Sequence, residues 1–360
     1  MAESDSVLGR ARVVADTVLF PAAQDVDRLP LLPGAGLDAL AAAGLFGIAG
    51  PVSHGGSDLD AHTARRVIAT IGGGCGSTFF VWVQHHGVVR SLRASPNPGL
   101  VTELLAPMCA GEIVAGVAFA HVRRPGPPAV LATRNGDDDG WLLDGIAPWA
   151  TSWGIAGRFA VAAVADDERV VWSMLPADAA DGMRAMPLEL PVFGSTGTVA
   201  LTFEHCAVPD SQVIAVEDLA AWRRSDRRRA AIGQPAVLGL TERVIRLLGA
   251  RAGDDDALAA SDRLAVELLD AWSRDDALIG EFLQSDDDED SVVDTIVASA
   301  SDHRARCLHL ARRATTALLA AAGGGGMDLS HPAQRLARES DFYVIQAQTI
   351  DGRAATLRAI

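Results

Sequence analysis

RFAVAAVADDERVVWSML, residues 158–175, is the stretch on which the reading of this fold turns. Two runs of β-branched, aromatic and small apolar residues flank Ala165, Asp166 and Asp167, a turn signal, so the stretch predicts two strands joined tightly. Similar β-rich runs lie on either side: VAGVAFA at 114–120, WLLDG at 141–145 and TVALTFEHCAV at 198–208, with NGDDDG at 135–140 as another turn signal. Together they predict a β domain over residues 114–213.

Outside that domain the apolar period changes from two to that of a helix. Leu37, Leu40, Ala41 and Leu45 mark a helical N-terminal domain over residues 1–113, with Pro and Gly clusters at 30–36 and 50–57 as punctuation. Val237, Leu240, Val244 and Leu248 form one later stripe, and Cys307, Leu308, Ala311 and Leu318 another, predicting a helical bundle over residues 214–360. Between these helices, the acidic block QSDDDED at 284–290 reads as a solvated connection. A β unit set between helical units differs from the alternating order of most α/β enzymes. No G-x-G-x-x-G follows a strand, so a Rossmann dinucleotide site is not supported.

Composition narrows the function classes. The 360 residues are 49% hydrophobic and carry a formal net charge of -15, which disfavours general affinity for nucleic acid or anionic lipid. Cys75, Cys109, Cys206 and Cys307 lie far apart without metal-ligand spacing, so neither a zinc site nor a disulfide framework is suggested. The acidic start MAESDSVLGR lacks the basic and apolar regions of a secretion signal. No apolar run approaches the roughly 20 residues needed to span a bilayer. The expectation is a cytoplasmic protein.

Four motifs in order carry a resemblance. WLLDGIAPWATSWG at 141–154 holds a G-x-x-x-W-x-T element in Gly145, Trp149 and Thr151, and FGSTGTVALTFEHCAVP at 193–209 ends in F-x-x-x-x-V-P at Phe203, Val208 and Pro209. LFGIAGPVSHGGSDLD at 45–60 and HPAQRLARES at 331–340 flank them, the latter similar to P-x-x-R-x-x-R-D with Glu339 for the aspartate. In this order they resemble the acyl-CoA dehydrogenase superfamily. The resemblance implies an α+β fold of an N-terminal helical domain, a central β-barrel or sandwich and a C-terminal helical bundle, with FAD as cofactor. It also implies acyl-CoA or a related thioester as substrate, and a homodimer or homotetramer. Trp149 would pack beside the flavin and Thr151 would hydrogen-bond its edge. Backbone groups of Phe119 and Ala120, the turn Gly323 and Gly324, and Gln348 and Thr349 would complete the cofactor site. His85 and His86 would border the acyl pocket.

Departures from the family pattern are concentrated at the chemistry. RLARESDFYVIQAQT, Arg335 to Thr349, reads as one helix ending where the family commonly carries a catalytic glutamate in Y-E-G-T, and Gln346, Ala347, Gln348 and Thr349 occupy that place. Alanine cannot take a proton. Some relatives carry the base on the first long helix of the bundle; the matching SDRRRAAIGQPAVLG at 225–239 offers Asp226 alone among acids, inside the basic cluster Arg223, Arg224, Arg227, Arg228 and Arg229. The T-E-P-x-A-G-S turn is replaced by Ala120 to Pro127, Ala320 stands for the glutamine of Q-x-x-G-G-x-G, and GARAGDDDALAASD has no clear equivalent of the arginine that reaches the FAD pyrophosphate. Three functions follow from this pattern: α,β-desaturation with an unconventional base, a flavin monooxygenase using His121 or Ser152, or a silent subunit of a hetero-oligomer.

Overall fold

A computed structural model describes residues 6–136, 140–178, 181–232, 235–285 and 290–360. Asp137 to Asp139 of the NGDDDG signal, Gly233 and Gln234 of the 225–239 stretch, Asp286 to Glu289 of the acidic block and the first five residues lie outside the described residues.

Six helices precede the sheet: α1 (Val7–Val14), α2 (Phe20–Val26), α3 (Gly34–Ala42), α4 (Ala61–Gly72), α5 (Gly76–Arg93) and α6 (Pro98–Ala110). The first turns of α1, α4 and α6 are capped by side chains that accept otherwise unbonded backbone N–H groups. Ser6 accepts from Gly9 at 3.0 Å, Asp60 from Thr63 at 2.9 Å, and Asn97 from Leu100 at 3.3 Å. The strands follow as β1 (Ala115–Ala118), β2 (Val130–Arg134), β3 (Gly140–Ala150), β4 (Arg158–Ala165), β5 (Arg169–Pro176), β6 (Met183–Pro187), β7 (Val199–Pro209) and β8 (Val213–Asp218). Then come α7 (Leu219–Ile232), α8 (Pro235–Gly249), α9 (Asp255–Gln284), α10 (Asp290–Ala322), α11 (Ala333–Ile345) and α12 (Ile350–Arg358). This is the helix, sheet, helix order that residues 158–175 implied. Strands β2, β6 and β8 escaped the sequence reading because they are short and only partly buried.

Among the described residues the strands form one mixed sheet in the order β6-β7-β3-β2-β4-β5-β8, with β1 parallel on β4. The 158–175 stretch is the antiparallel pair β4 and β5, Arg158 opposite Pro176 through Val164 opposite Val170. Both faces of this pair are buried. Phe159, Val161 and Ala163 share one core with Trp141, Leu143, Leu201 and Phe203 of β3 and β7. Ala160, Ala162, Trp172 and Met174 share a second with Val88 and Leu92 of α5 and Leu104 and Met108 of α6. The sheet therefore curls over its own inner face and receives helices on the other, which is why the strands read as continuous apolar runs.

By contact the chain falls into two compact units, Met1–Asp27 with Asp60–Gly76 and Arg224–Ile360, and Arg28–Leu59 with Ser77–Arg223. In the helical unit, Val237, Leu240, Val244 and Leu248 of α8 and Cys307, Leu308, Ala311 and Leu318 of α10 are buried as their spacing implied. Among the described residues, no helix is long and apolar enough to cross a membrane.

One expectation is corrected. Arg335 to Thr349 is not one helix: α11 stops at Ile345, Gln346 turns extended with ψ 133°, and Ala347 takes a left-handed φ of 47°. The cause is Arg304 of α10, whose guanidinium donates to the carbonyls of Tyr343 at 3.3 Å, Gln346 at 2.5 Å and Ala347 at 3.2 Å. These are terminal carbonyls that a continuing helix would occupy itself. Thr349 then caps α12 by accepting from Gly352 at 3.1 Å.

The closest approach in the helical unit is α8 on α4. A Cβ on Gly239 would lie 1.8 Å from the Ala69 carbonyl oxygen, so only glycine permits this crossing. Gly239→Ala is expected to lower stability by about 1–3 kcal/mol or more through overpacking, read as a lower urea midpoint at unchanged slope.

Candidate active site

The end of β3 carries the first group of candidate residues. Trp149 is 48% exposed, an open aromatic face, whereas Thr151 two residues on is buried. After Ala150 the chain turns sharply: Ser152 is buried with φ 85°, in the region that side chains other than glycine seldom adopt. Backbone bonds to the segment before β7 hold the turn, from Ser152 N–H to the Thr196 carbonyl and from Trp153 N–H to the Gly197 carbonyl, each 2.9 Å. Gly197 is required there, since its φ is 60° and a Cβ would meet the Trp153 carbonyl oxygen at 2.2 Å. Behind Thr151 runs a row of hydroxyls. Its Oγ1 lies 3.1 Å from that of Thr198, which lies 2.8 Å from that of Thr196, which donates to the Phe193 carbonyl at 2.7 Å. Ser152 Oγ and Ser195 Oγ are buried with no hydrogen-bond partner among the described residues.

Phe119 and Ala120 follow β1. Phe119 packs its ring against Trp172 at 5.7 Å and Trp222 at 6.1 Å, and half-buried Ala120 opens a short 3-10 turn. In that turn His121 Nε2 donates to the Ala162 carbonyl at 2.8 Å, and burial lowers the imidazole's pKa. His85 is fully engaged: Nε2 donates to the Met108 carbonyl and Nδ1 accepts from the Ala115 N–H, both at 3.1 Å. This holds one neutral tautomer, and burial pushes its pKa down to about 4. His86 is buried edge-on to Trp82 at 4.4 Å with neither ring nitrogen paired among the described residues, and burial holds it well below the usual imidazole range.

The helical unit holds the remaining candidates. Ala347 and Thr349 are half-buried on the link that Arg304 grips, and exposed Gln348 donates to the Val344 carbonyl at 3.2 Å. Gly323 and Gly324 are exposed in a 3-10 turn, Gly323 with φ 54°. Asp226 is buried on α7. Three of the neighbouring arginines, Arg223, Arg227 and Arg228, are committed to structure. Arg227 grips Asp351 at 2.8 and 2.9 Å and Asp294 at 2.6 Å. Arg228 donates to the Phe282 carbonyl at 2.5 Å, with its guanidinium 4.0 Å from that ring's centre. In the other unit Arg223 donates to the Val122 carbonyl at 3.2 Å.

Sequence reasoning did not find Thr196, Thr198 or Arg304. The two threonines lie within the quoted 193–209 motif, and their i, i+2 spacing into a strand was the available signal. Arg304 showed only as a charge within a helical stripe.

A sequence model of the acyl-CoA dehydrogenase N-terminal domain matches residues 1–112. A protein of Mycobacterium leprae named as a probable acyl-CoA dehydrogenase is 26% identical over 244 residues, covering 65% of this chain and 62% of that one. The chain thus spans less than two thirds of that relative's length. Butyryl-CoA dehydrogenase from Megasphaera elsdenii has a similar structure, with TM-score 0.76 and 16% identity over 99% of this chain and 97% of its own. Indole-bound TdsC of a Paenibacillus species has TM-score 0.80 and 16% identity over 98% and 95%; another structure of that protein is named as dibenzothiophene monooxygenase. The fold is therefore that of these structures. The chain is thus similar to acyl-CoA dehydrogenases, in sequence over its first 112 residues and over part of its length, and in fold over nearly all of it.

The residues at the end of β3 fit the edge of a flavin ring. Trp149 offers an open face, Thr151 Oγ1 and Ser152 Oγ offer polar atoms beside it, and the Ser152 hydroxyl lacks a protein partner among the described residues. The buried histidines have a separate consequence. His85 has a folded pKa near 4, below its unfolded 6.5, so its contribution to stability is full above pH 6.5 and is lost as pH falls toward 4. Over that window unfolding in urea is expected to become easier, with a slope from this group of up to about 1.4 kcal/mol per pH unit. His85→Gln should flatten the profile.

Proposed function

We propose that this protein is an FAD-dependent oxidoreductase that oxidises the CH–CH bond beside the carbonyl of an acyl-CoA or related thioester. The observation that carries the reading is the Trp149 and Thr151 pair, which keeps the family's G-x-x-x-W-x-T spacing with the tryptophan face open and the threonine fixed behind it. Trp149 packs on the ring, Thr151 bonds its edge, and backbone groups of Phe119 and Ala120 line the same unit. By the resemblance, Gly323, Gly324, Gln348 and Thr349 are further cofactor residues, and His85 and His86 border the acyl chain. Bound flavin supplies the hydride acceptor. The α-proton needs a base, and the 346–349 link holds no carboxylate, which leaves buried Asp226 as the candidate. The protein is read as a cytoplasmic homo-oligomer.

Ala347 also favours a second reading. Oxygenation by reduced flavin needs no α-proton base, and the similarity to TdsC accords with it. Of the two candidates for that chemistry, His121 spends Nε2 on Ala162 and keeps Nδ1 without a partner among the described residues, and Ser152 Oγ likewise has none. The third reading, a silent subunit that completes a related chain's site, leaves no cofactor of its own.

Absorbance of the purified protein with and without added FAD, followed by anaerobic mixing with a panel of acyl-CoAs, separates the three. A yellow protein bleached by a thioester supports desaturation. A yellow protein that no thioester bleaches, but that consumes oxygen once reduced, supports oxygenation. A colourless protein supports the silent subunit. On the first reading, Ala347→Glu supplies a carboxylate at the family position and is expected to accelerate bleaching by about 10²-fold or more, whereas Asp226→Asn should slow the parent reaction by a like factor.

A further inference from the structure

The hydroxyl row behind Thr151 has a direction. A carbonyl oxygen only accepts, so the single hydroxyl proton of Thr196 is committed to Phe193. At 2.8 Å, Thr198 and Thr196 then share a hydrogen bond only if Thr198 is its donor. With the Thr198 proton committed in turn, the 3.1 Å contact to Thr151 is a hydrogen bond only if Thr151 donates. The order is Thr151 to Thr198 to Thr196 to the Phe193 carbonyl, and all three threonines are buried, so water is poorly placed to reverse it.

We infer that Thr196 and Thr198 are specificity-determining residues that present Thr151 Oγ1 to its ligand as a hydrogen-bond acceptor, selecting a donor N–H or O–H over an acceptor atom. This rests on the flavin reading above, in which Thr151 faces the edge of the ring. The flavin's edge nitrogen is an acceptor when oxidised and an N–H donor when reduced. The row therefore favours the reduced form. Neither Thr196 nor Thr198 needs to touch the cofactor to do this; both act through Thr151 as positioning residues.

Two substitutions probe the direction at different distances. Thr198→Val removes the acceptor of the Thr151 proton. Thr196→Val leaves Thr198 free to turn and donate to Thr151. In both, the Thr151 proton is released toward the ligand. The measurement is the midpoint potential of bound FAD by dye-coupled reduction against free FAD, for the parent and both variants, with Thr196→Ser and Thr198→Ser as controls that keep a hydroxyl in place.

In each valine variant the preference for reduced over oxidised flavin is expected to fall about tenfold, which for a two-electron couple is a potential lower by about 30 mV. The serine variants should stay at the parent value. Unchanged potentials in both valine variants would overturn the inference, as would a shift confined to Thr198→Val. A parent protein that takes up no FAD sinks the flavin reading and the inference together, whereas one that takes it up with potentials insensitive to both positions sinks the inference alone.

Discussion

Strand β4 has no polar face, and much of the sheet unit follows from that. Ala160, Ala162 and Val164 point into one core and Phe159, Val161 and Ala163 into another. A strand of this kind is stable only with cover on both sides. Helices α5 and α6 supply one cover. The other comes from the sheet itself, which curls until β3 and β7 lie over β4 and β5. The long pairing of β3 with β7 breaks register between Leu143 and Gly145 and again between Ala147 and Ala150. Such irregularities bend a strand and re-aim its side chains. The second break falls at the end of β3, where Trp149 is left exposed and Thr151 is turned inward.

In the helical unit, one arginine explains how an absence in the sequence became a defined structure. Arg304 is almost wholly buried and spends its guanidinium on the carbonyls that end α11. With Arg227 holding Asp351 and Arg358 bonded to Asp302, the link and α12 are fixed from α7 and α10. Ala347 thus sits in an ordered left-handed turn rather than at a ragged helix end. A left-handed alanine costs on the order of 1 kcal/mol or more. The three Arg304 bonds are the compensation on view, and they hold the backbone of the link independently of the side chain at 347.

How much of this was legible in the sequence depended on the range of the interaction that decided each element. The strands β1, β3, β4, β5 and β7 and the stripes of α8 and α10 were visible because burial imposes a period on neighbouring residues. The break in α11 was not, because its cause is an arginine from another helix, some forty residues upstream, reaching three carbonyls. The basic cluster on α7 illustrates the same limit. As a sequence it is a run of positive charge; in the fold Arg223, Arg227 and Arg228 have become caps and cross-helix ties, each with a partner distant along the chain. The glycine at 239 was hidden for a related reason, since only the Ala69 carbonyl opposite it makes it necessary.

Counting commitments of polar atoms then narrows the site more than motif matching does. His85 has spent both nitrogens on backbone groups, so its ring exchanges no proton without breaking a buried hydrogen bond, a loss of about 1–3 kcal/mol, whereas His121 has spent Nε2 and keeps Nδ1 without a partner among the described residues. Arg223, Arg227 and Arg228 of α7 are spent on carbonyls, carboxylates and a hydroxyl. In the sheet unit the buried side-chain atoms without a partner among the described residues are both nitrogens of His86, His121 Nδ1, the indole nitrogens of Trp141 and Trp172, and the hydroxyls of Ser173, Ser152 and Ser195, the last two together in the turn where β3 meets the 193–198 segment. That turn holds buried Thr151, the hydroxyls of Ser152 and Ser195, and a serine in the left-handed region, Ser152 with φ 85°. Strain and unsatisfied hydrogen-bonding capacity in one place are what a fold tolerates where a ligand completes the bonding. Their coincidence beside the exposed face of Trp149 is the physical ground on which the proposed site at the end of β3 rests.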